Sequence, residues 1–176
     1  MSAALVPEVT EARDHLRGSH GPTLLIFGDY ECPYTRLAYR SVQFLEADGV
    51  PFRFAFRHFP LFEIHPHALA AAEASEAAAA QGRFWPMHDL LFRRQKALER
   101  ADLERYANEI ELNVERFRQE LDAHVHRDRV EADRSAALAS GATGTPTIFL
   151  DGLPYLGSYE RAELGRALAP DGEETE

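Results

Sequence analysis

The sequence is most informative where it is poor. Its 176 residues hold one cysteine, Cys32, and one lysine, Lys96, beside eighteen arginines. A lone cysteine excludes an intrachain disulfide and any all-cysteine metal site. The arginine-for-lysine bias reflects genome composition more than mechanism. Positive charge is short as well: 19 Lys plus Arg stand against 29 Asp plus Glu, a net charge of −10. Such a chain has no cationic surplus for counterion release, so nucleic-acid binding is disfavoured. No apolar run approaches the roughly 20 residues that cross a bilayer, so no membrane insertion is expected. Met1 to His20 carries Glu8, Glu11 and Asp14 and lacks the basic start and apolar stretch of a signal peptide, which points to a cytoplasmic protein. There is no internal repeat and no low-complexity linker. What remains, 45% hydrophobic and 27% charged residues, is the composition of a soluble globular chain. Its length suits one domain, or one domain carrying an inserted subdomain.

The run Thr23 to Phe27, bounded by Gly21-Pro22 and Gly28-Asp29, reads as a buried strand. A helix opens at Pro33, which suits a first helical position, continues through Leu37, Tyr39, Phe44 and Leu45, and stops at Asp48-Gly49. Phe52 to Arg57 alternates with period two and reads as a strand, completing a βαβ unit. From Glu63 to Ser140 the pattern is helical: the Ala-rich His67 to Gln81, then Phe84 to Phe92, Leu103 to Ile110, a helix capped by Asn113, and Val130 to Gly141. Strands return at Thr147 to Leu150 and Leu153 to Leu156, joined by the hairpin signal Asp151-Gly152, with Pro154 implying an edge strand. Glu160 to Leu168 is a closing helix. The expected organisation is an α/β domain in two halves, 1–62 and 141–170, with an all-helical subdomain at 63–140 inserted between them and an acidic tail at 171–176.

This order places a Cys-Pro at the first strand-to-helix junction. The segments Asp14-His15-Leu16-Arg17-Gly18, Gly28-Asp29-Tyr30-Glu31-Cys32-Pro33-Tyr34, Arg57-His58-Phe59-Pro60-Leu61, Phe84-Trp85-Pro86-Met87-His88-Asp89 and Gly144-Thr145-Pro146-Thr147 follow it. On these segments the chain resembles the DsbA-like thiol–disulfide oxidoreductases of the thioredoxin fold. It is also similar to thioredoxin-like domains attached to some bacterial sodium/proton antiporters. The resemblance implies a bacterial protein and the βαβ, helical insertion, ββα architecture. It further implies a cis proline at Pro146 lying against the cysteine, and substrate backbone paired there like an added strand. One departure matters. The family's redox motif is Cys-x-x-Cys, and here it is Cys32-Pro33-Tyr34-Thr35.

At a helix N-terminus the Cys32 thiolate faces free N–H groups and the positive end of the dipole, worth up to ~2 kcal/mol. Asp29 and Glu31 oppose it, while Thr35, one turn on, could donate its hydroxyl to the sulfur. A moderately activated thiol is expected. A thiolate attacks a disulfide to form a mixed disulfide, but Thr35 cannot expel that intermediate as a second cysteine would. An external thiol must, with glutathione or another low-molecular-weight thiol as co-substrate. The expected chemistry is monothiol exchange with protein or peptide thiols and disulfides. The candidate catalytic residues are Cys32 and Thr35; the candidate substrate-binding residues are Pro33, Tyr34, Thr145 and Pro146. No resident cofactor is expected.

The bland reading of a lone cysteine is a buried, inert one, which its strand-to-helix position argues against. The pairs His65/His67 and His124/His126 offer nitrogens without a third ligand, so capping and surface placement are favoured over a metal. His88 reads as a packing histidine, His58 has no derivable role, and Phe84-Trp85 reads as subdomain core. Two other functions compete: a redox-inactive binding or regulatory module, and a kappa-like glutathione-dependent transferase or isomerase. The latter would carry Ser in place of Cys32.

Overall fold

The computed structural model describes residues 4–169, so the acidic tail at 171–176 lies outside the described residues. The chain forms one mixed sheet from β1 (His15–Arg17), β2 (Thr23–Gly28), β3 (Arg53–His58), β4 (Thr147–Leu150) and β5 (Leu153–Tyr155), in the order β1-β3-β2-β4-β5. β2 and β3 are parallel; every other pair is antiparallel. α1 (Pro33–Ala47) carries the chain from β2 to β3. Between β3 and β4 come α2 (Ala68–Ala79), α3 (Phe84–Arg93), α4 (Arg100–Glu109), α5 (Val114–Asp122) and α6 (Arg127–Ala139), and α7 (Arg161–Leu168) closes the chain.

The apolar run of β2 is continuous because both its faces are covered. Leu24 and Ile26 join one core with Tyr39 and Val42 of α1 and Met87 and Leu91 of α3. Leu25 and Phe27 join a second core with Phe149 and with Ala136 and Ala137 of α6. Asn113 caps α5 as its side chain suggested, its Oδ1 accepting from the Arg116 N–H at 3.0 Å. Asp151 and Gly152 turn the β4–β5 hairpin with φ of 46° and 79°, the left-handed pair that a tight two-residue turn requires. β5 is the sheet edge, so the N–H that Pro154 lacks costs the ladder little.

Two features depart from the sequence reading. β1 carries no signal in the sequence: three residues show no periodicity, and pairing with β3, Leu16 opposite Ala55, is what makes them a strand. β3 runs from Arg53 to His58, one residue later than expected, because the Arg53 N–H bonds to the Pro22 carbonyl at 2.9 Å and sets the register. Its alternation is not an in–out pattern either, since every residue after Arg53 is buried. Arg57 is wholly buried, with its guanidinium on both oxygens of Asp14 (2.7 and 3.0 Å) and on the carbonyls of Pro7 and Glu8. Burying an arginine is tolerable only with this complete set of partners.

Candidate functional site

Chain direction alone brings Cys32 to the end of the sheet. β2 ends at Gly28, and a four-residue turn delivers Cys32 as the N-cap of α1, with Pro33 at the first helical position. The turn is held from three sides. The Cys32 N–H donates to the Asp29 carbonyl at 3.1 Å. The buried Asp29 carboxylate accepts from the N–H groups of Glu31 (2.7 Å) and Leu61 (2.8 Å) and contacts His65 Nδ1 at 2.8 Å. From beyond α3, Gln95 Nε2 donates to the carbonyls of Tyr30 (2.8 Å) and Cys32 (2.9 Å). Glu31 accepts from the His67 N–H at 2.8 Å. The two acids read as charges opposing the thiolate are therefore engaged in fixing backbone.

Cys32 itself is 3% exposed. Its Sγ donates to the Thr145 carbonyl at 3.5 Å, and the Thr145–Pro146 peptide bond is cis. The structure thus joins Cys32, Thr145 and Pro146 from opposite ends of the chain. Pro33 and Tyr34 lie on the exposed start of α1, Tyr34 60% exposed. The Thr145 hydroxyl is buried and, among the described residues, without a hydrogen-bond partner. Thr35 is placed differently from the expectation. It is fully buried, and its hydroxyl accepts from the Asp29 N–H at 3.4 Å and makes no hydrogen bond to the sulfur. Its methyl group packs over Gly28, where an added Cβ would come 2.5 Å from it and 2.6 Å from the Phe56 ring. An inward-pointing threonine serves the packing of the turn, which draws its hydroxyl away from Cys32.

Beneath the turn, the Tyr30 hydroxyl meets His88 Nδ1 at 2.7 Å, both residues buried among Tyr39, Phe54, Phe56 and Phe92. Burial drives the Tyr30 phenol well above its ordinary range. Burial, reinforced by the positive charge of Arg17 and then by His58 and His15, drives the His88 imidazole well below its own. His88 is a neutral core residue, as read. His58 and His15 converge on one oxygen of Glu76, at 2.7 and 2.9 Å. His124 and His126 contact Glu73 and Glu120, at 2.9 and 2.7 Å. Phe84 and Trp85 pack in the larger core, Trp85 under the Arg17 guanidinium at 4.4 Å. Asp29 and Gln95 join the site without being among the candidates the sequence offers. An Asp closing a turn onto the N–H two residues on was a readable signal for the first; Gln95 had none.

The thioredoxin family model matches residues 15–169. Among curated relatives, a Salinispora tropica protein named Na(+)/H(+) antiporter NhaA 3 is 42% identical over 166 residues, 93% of this chain and 26% of its own length. A Herminiimonas arsenicoxydans protein named Na(+)/H(+) antiporter NhaA is 46% identical over 159 residues, 89% of this chain and 25% of its own length. The chain spans about a quarter of the length of these relatives. Among solved structures, oxidised BdbD from Bacillus subtilis superposes with a TM-score of 0.80 at 20% identity, covering 94% of this chain and 96% of that one. A thioredoxin-like oxidoreductase from Silicibacter pomeroyi superposes with a TM-score of 0.77 at 25% identity, covering 89% and 91%. With a family match across nearly all the described residues, the chain belongs to the thioredoxin family, and the superpositions show that it shares the fold of these oxidoreductases.

Proposed function

We propose that the chain performs monothiol thiol–disulfide exchange through Cys32. The observation that carries this is the position of the one thiol, at the N-cap of α1 and 3.5 Å from the Thr145 carbonyl beside a cis proline. There the sulfur stands at the first turn of α1, the end of a helix at which negative charge is accommodated. In the proposed cycle the Cys32 thiolate attacks one sulfur of a protein or peptide disulfide. That S–S bond breaks, the second sulfur leaves as a thiolate, and a Cys32 mixed disulfide forms. An external thiolate, such as glutathione, then attacks the partner's sulfur and returns Cys32 as thiolate. Two exchanges sum to no net oxidation of the protein. Thr35 acts as a positioning residue for the turn, Pro33 and Tyr34 face the incoming chain, and Thr145 and Pro146 present backbone to it. A cytoplasmic setting, where thiols stay reduced, suits a lone thiol.

Incubation with glutathione disulfide, followed by intact-mass analysis, tests this reading. A single glutathione adduct on the folded protein, absent in Cys32→Ser and reversed by free glutathione, is the expected result. Thr35→Cys should then release the adduct without added thiol. A folded protein that stays unmodified across mildly alkaline pH overturns the reading.

A second reading, a binding or regulatory module without turnover, draws on the near-complete cover over Cys32 and on the matches to about a quarter of each antiporter relative. It predicts that Cys32→Ser leaves binding to an antiporter's remaining chain unchanged. Saturable glutathione binding that needs no thiol would favour the kappa-like alternative instead.

A further inference from the structure

We infer that the groove between α1 and α3 receives an acidic segment of the protein whose disulfide Cys32 attacks. The inference rests on the exchange reading above and names the substrate class for it. The groove has a volume of about 420 Å³ and is walled by Arg36, Arg40 and Arg93, with Tyr39, Phe44 and Asp89 also in its lining. Most arginines of the chain reach a carboxylate. Even on the exposed helices, Arg94 pairs with Glu109, Arg100 with Glu104 and Asp122, and Arg118 with Glu104. Arg36, Arg40 and Arg93 are exposed and, among the described residues, have no carboxylate within 4 Å. Three free guanidiniums on one groove, in a chain with a net charge of −10, concentrate positive charge where the average surface is negative. The one carboxylate in the lining does not cancel them. Asp89 already accepts from the Tyr39 hydroxyl and lies 3.8 Å from the Arg17 guanidinium.

Position selects the occupant. Cys32, Arg36 and Arg40 are spaced i, i+4, i+8, so they share one stripe of α1. At 1.5 Å per residue the two arginines lie about 6 and 12 Å along the helix from the thiol residue. An extended chain advancing ~3.3 Å per residue would bring carboxylates about two and four residues from its cysteine over those two guanidiniums. A guanidinium fork accepts a carboxylate through two parallel hydrogen bonds. A small anion uses one of these steps; a peptide uses both.

Fluorescence anisotropy of a labelled, cysteine-free peptide of alternating Ser and Glu, titrated with the full chain at low ionic strength, tests the groove without the thiol. Arg36→Gln/Arg40→Gln/Arg93→Gln is expected to bind about tenfold more weakly, with unchanged circular dichroism and melting. Arg105→Gln on α4, a control outside the groove, should bind as the parent does. Absence of peptide binding by the parent chain, equal binding by the triple variant, or displacement by inorganic phosphate at matched concentration overturns the assignment. In a second arm, Cys32 reacts with glutathionylated peptides whose cysteine has acidic or neutral flanks. The acidic peptide should react faster with the parent and at the neutral rate with the triple variant. Equal rates with the parent refute the docking while leaving exchange intact. No reaction from either peptide refutes the exchange reading itself, and with it the identity given to the occupant.

Discussion

His88 offers the cleanest test of how the ground beneath the site is built. The imidazole is fully buried, its Nδ1 is on the Tyr30 hydroxyl at 2.7 Å, and its Nε2 has no hydrogen-bond partner among the described residues. A proton added there would sit among aromatic rings, near Arg17, with no carboxylate to receive it. The native state therefore holds His88 neutral while the unfolded chain titrates it near 6.5. Above that pH both states are neutral and the residue contributes no pH dependence. Below it the unfolded chain binds a proton that the native chain refuses, so stability falls as pH falls. At pH 5.0 the loss comes to about 2 kcal/mol, from 1.36 kcal/mol for each pH unit below 6.5. The perturbation is His88→Asn, whose side-chain oxygen keeps an acceptor near the Nδ1 position, with His88→Phe as a companion that keeps the ring. Urea unfolding at pH 7.5, 6.0 and 5.0 gives the stability of each protein. The variants lose stability at pH 7.5, but the difference from the parent should shrink by about 2 kcal/mol on going to pH 5.0. Contributions common to parent and variant cancel in that difference. A gap that stays constant with pH refutes the argument that His88 is held neutral by the core.

Glu76 behaves with the opposite logic. Burial alone would raise its carboxyl, but the hydrogen bonds from His15 and His58 outweigh burial and hold it far below the usual carboxylate range. Its stabilisation is present above its unfolded value of 4.5 and lost as pH falls below it, so the stability gap between parent and Glu76→Gln should close progressively in acid, read by unfolding between pH 6 and 3. Asp14→Ala strands the buried Arg57 guanidinium and should cost about 3–5 kcal/mol in urea, whereas a loss below about 1 kcal/mol would mean that the guanidinium finds water instead. Asp29→Ala removes the acceptor of two backbone N–H groups. At about 1–3 kcal/mol for each orphaned donor, the melting temperature should drop by roughly 5–15 °C. The same variant should react more slowly in glutathione adduct formation, since the turn that aims Cys32 is then released.

The fold was legible because its signals are local and strong. The Gly-Pro and Gly-Asp brackets around Thr23–Phe27, the Ala-rich run before Gly82 and the Asp-Gly hairpin each specify an element without reference to the rest of the chain. β1 was not legible, since its three residues become a strand only through β3. The burial of Arg57 leaves no local signal for a related reason: it depends on the approach of Asp14 and two carbonyls from the N-terminal segment. At the site, Cys32 stood out by its place between strand and helix. The groups that hold it, Asp29 through the Leu61 N–H and the His65 ring, and Gln95 through two carbonyls, act between residues distant in sequence, and such pairing leaves no periodic trace.

That pattern of support bears on the absent second cysteine. The backbone around Cys32 is fixed by a carboxylate, an amide and the N-cap geometry, none of which involves residue 35 through a sulfur. Residue 35 contributes a methyl group that fills the space over Gly28 and an acceptor for the Asp29 N–H, and threonine supplies both. The site therefore separates two requirements that a dithiol motif combines. Attack on a disulfide asks for one sulfur at the helix start, and Cys32 stands there, beside the Thr145 carbonyl and the cis bond to Pro146. Release asks for a second thiol within reach, and that must come from outside the chain. Under the proposed exchange, threonine at position 35 removes the intramolecular step while Cys32 keeps its place at the start of α1 beside the Thr145 carbonyl. Residence of the captured partner is then governed by the supply of external thiol and by whatever holds the partner in place meanwhile, which is the part assigned to the arginine-lined groove along α1.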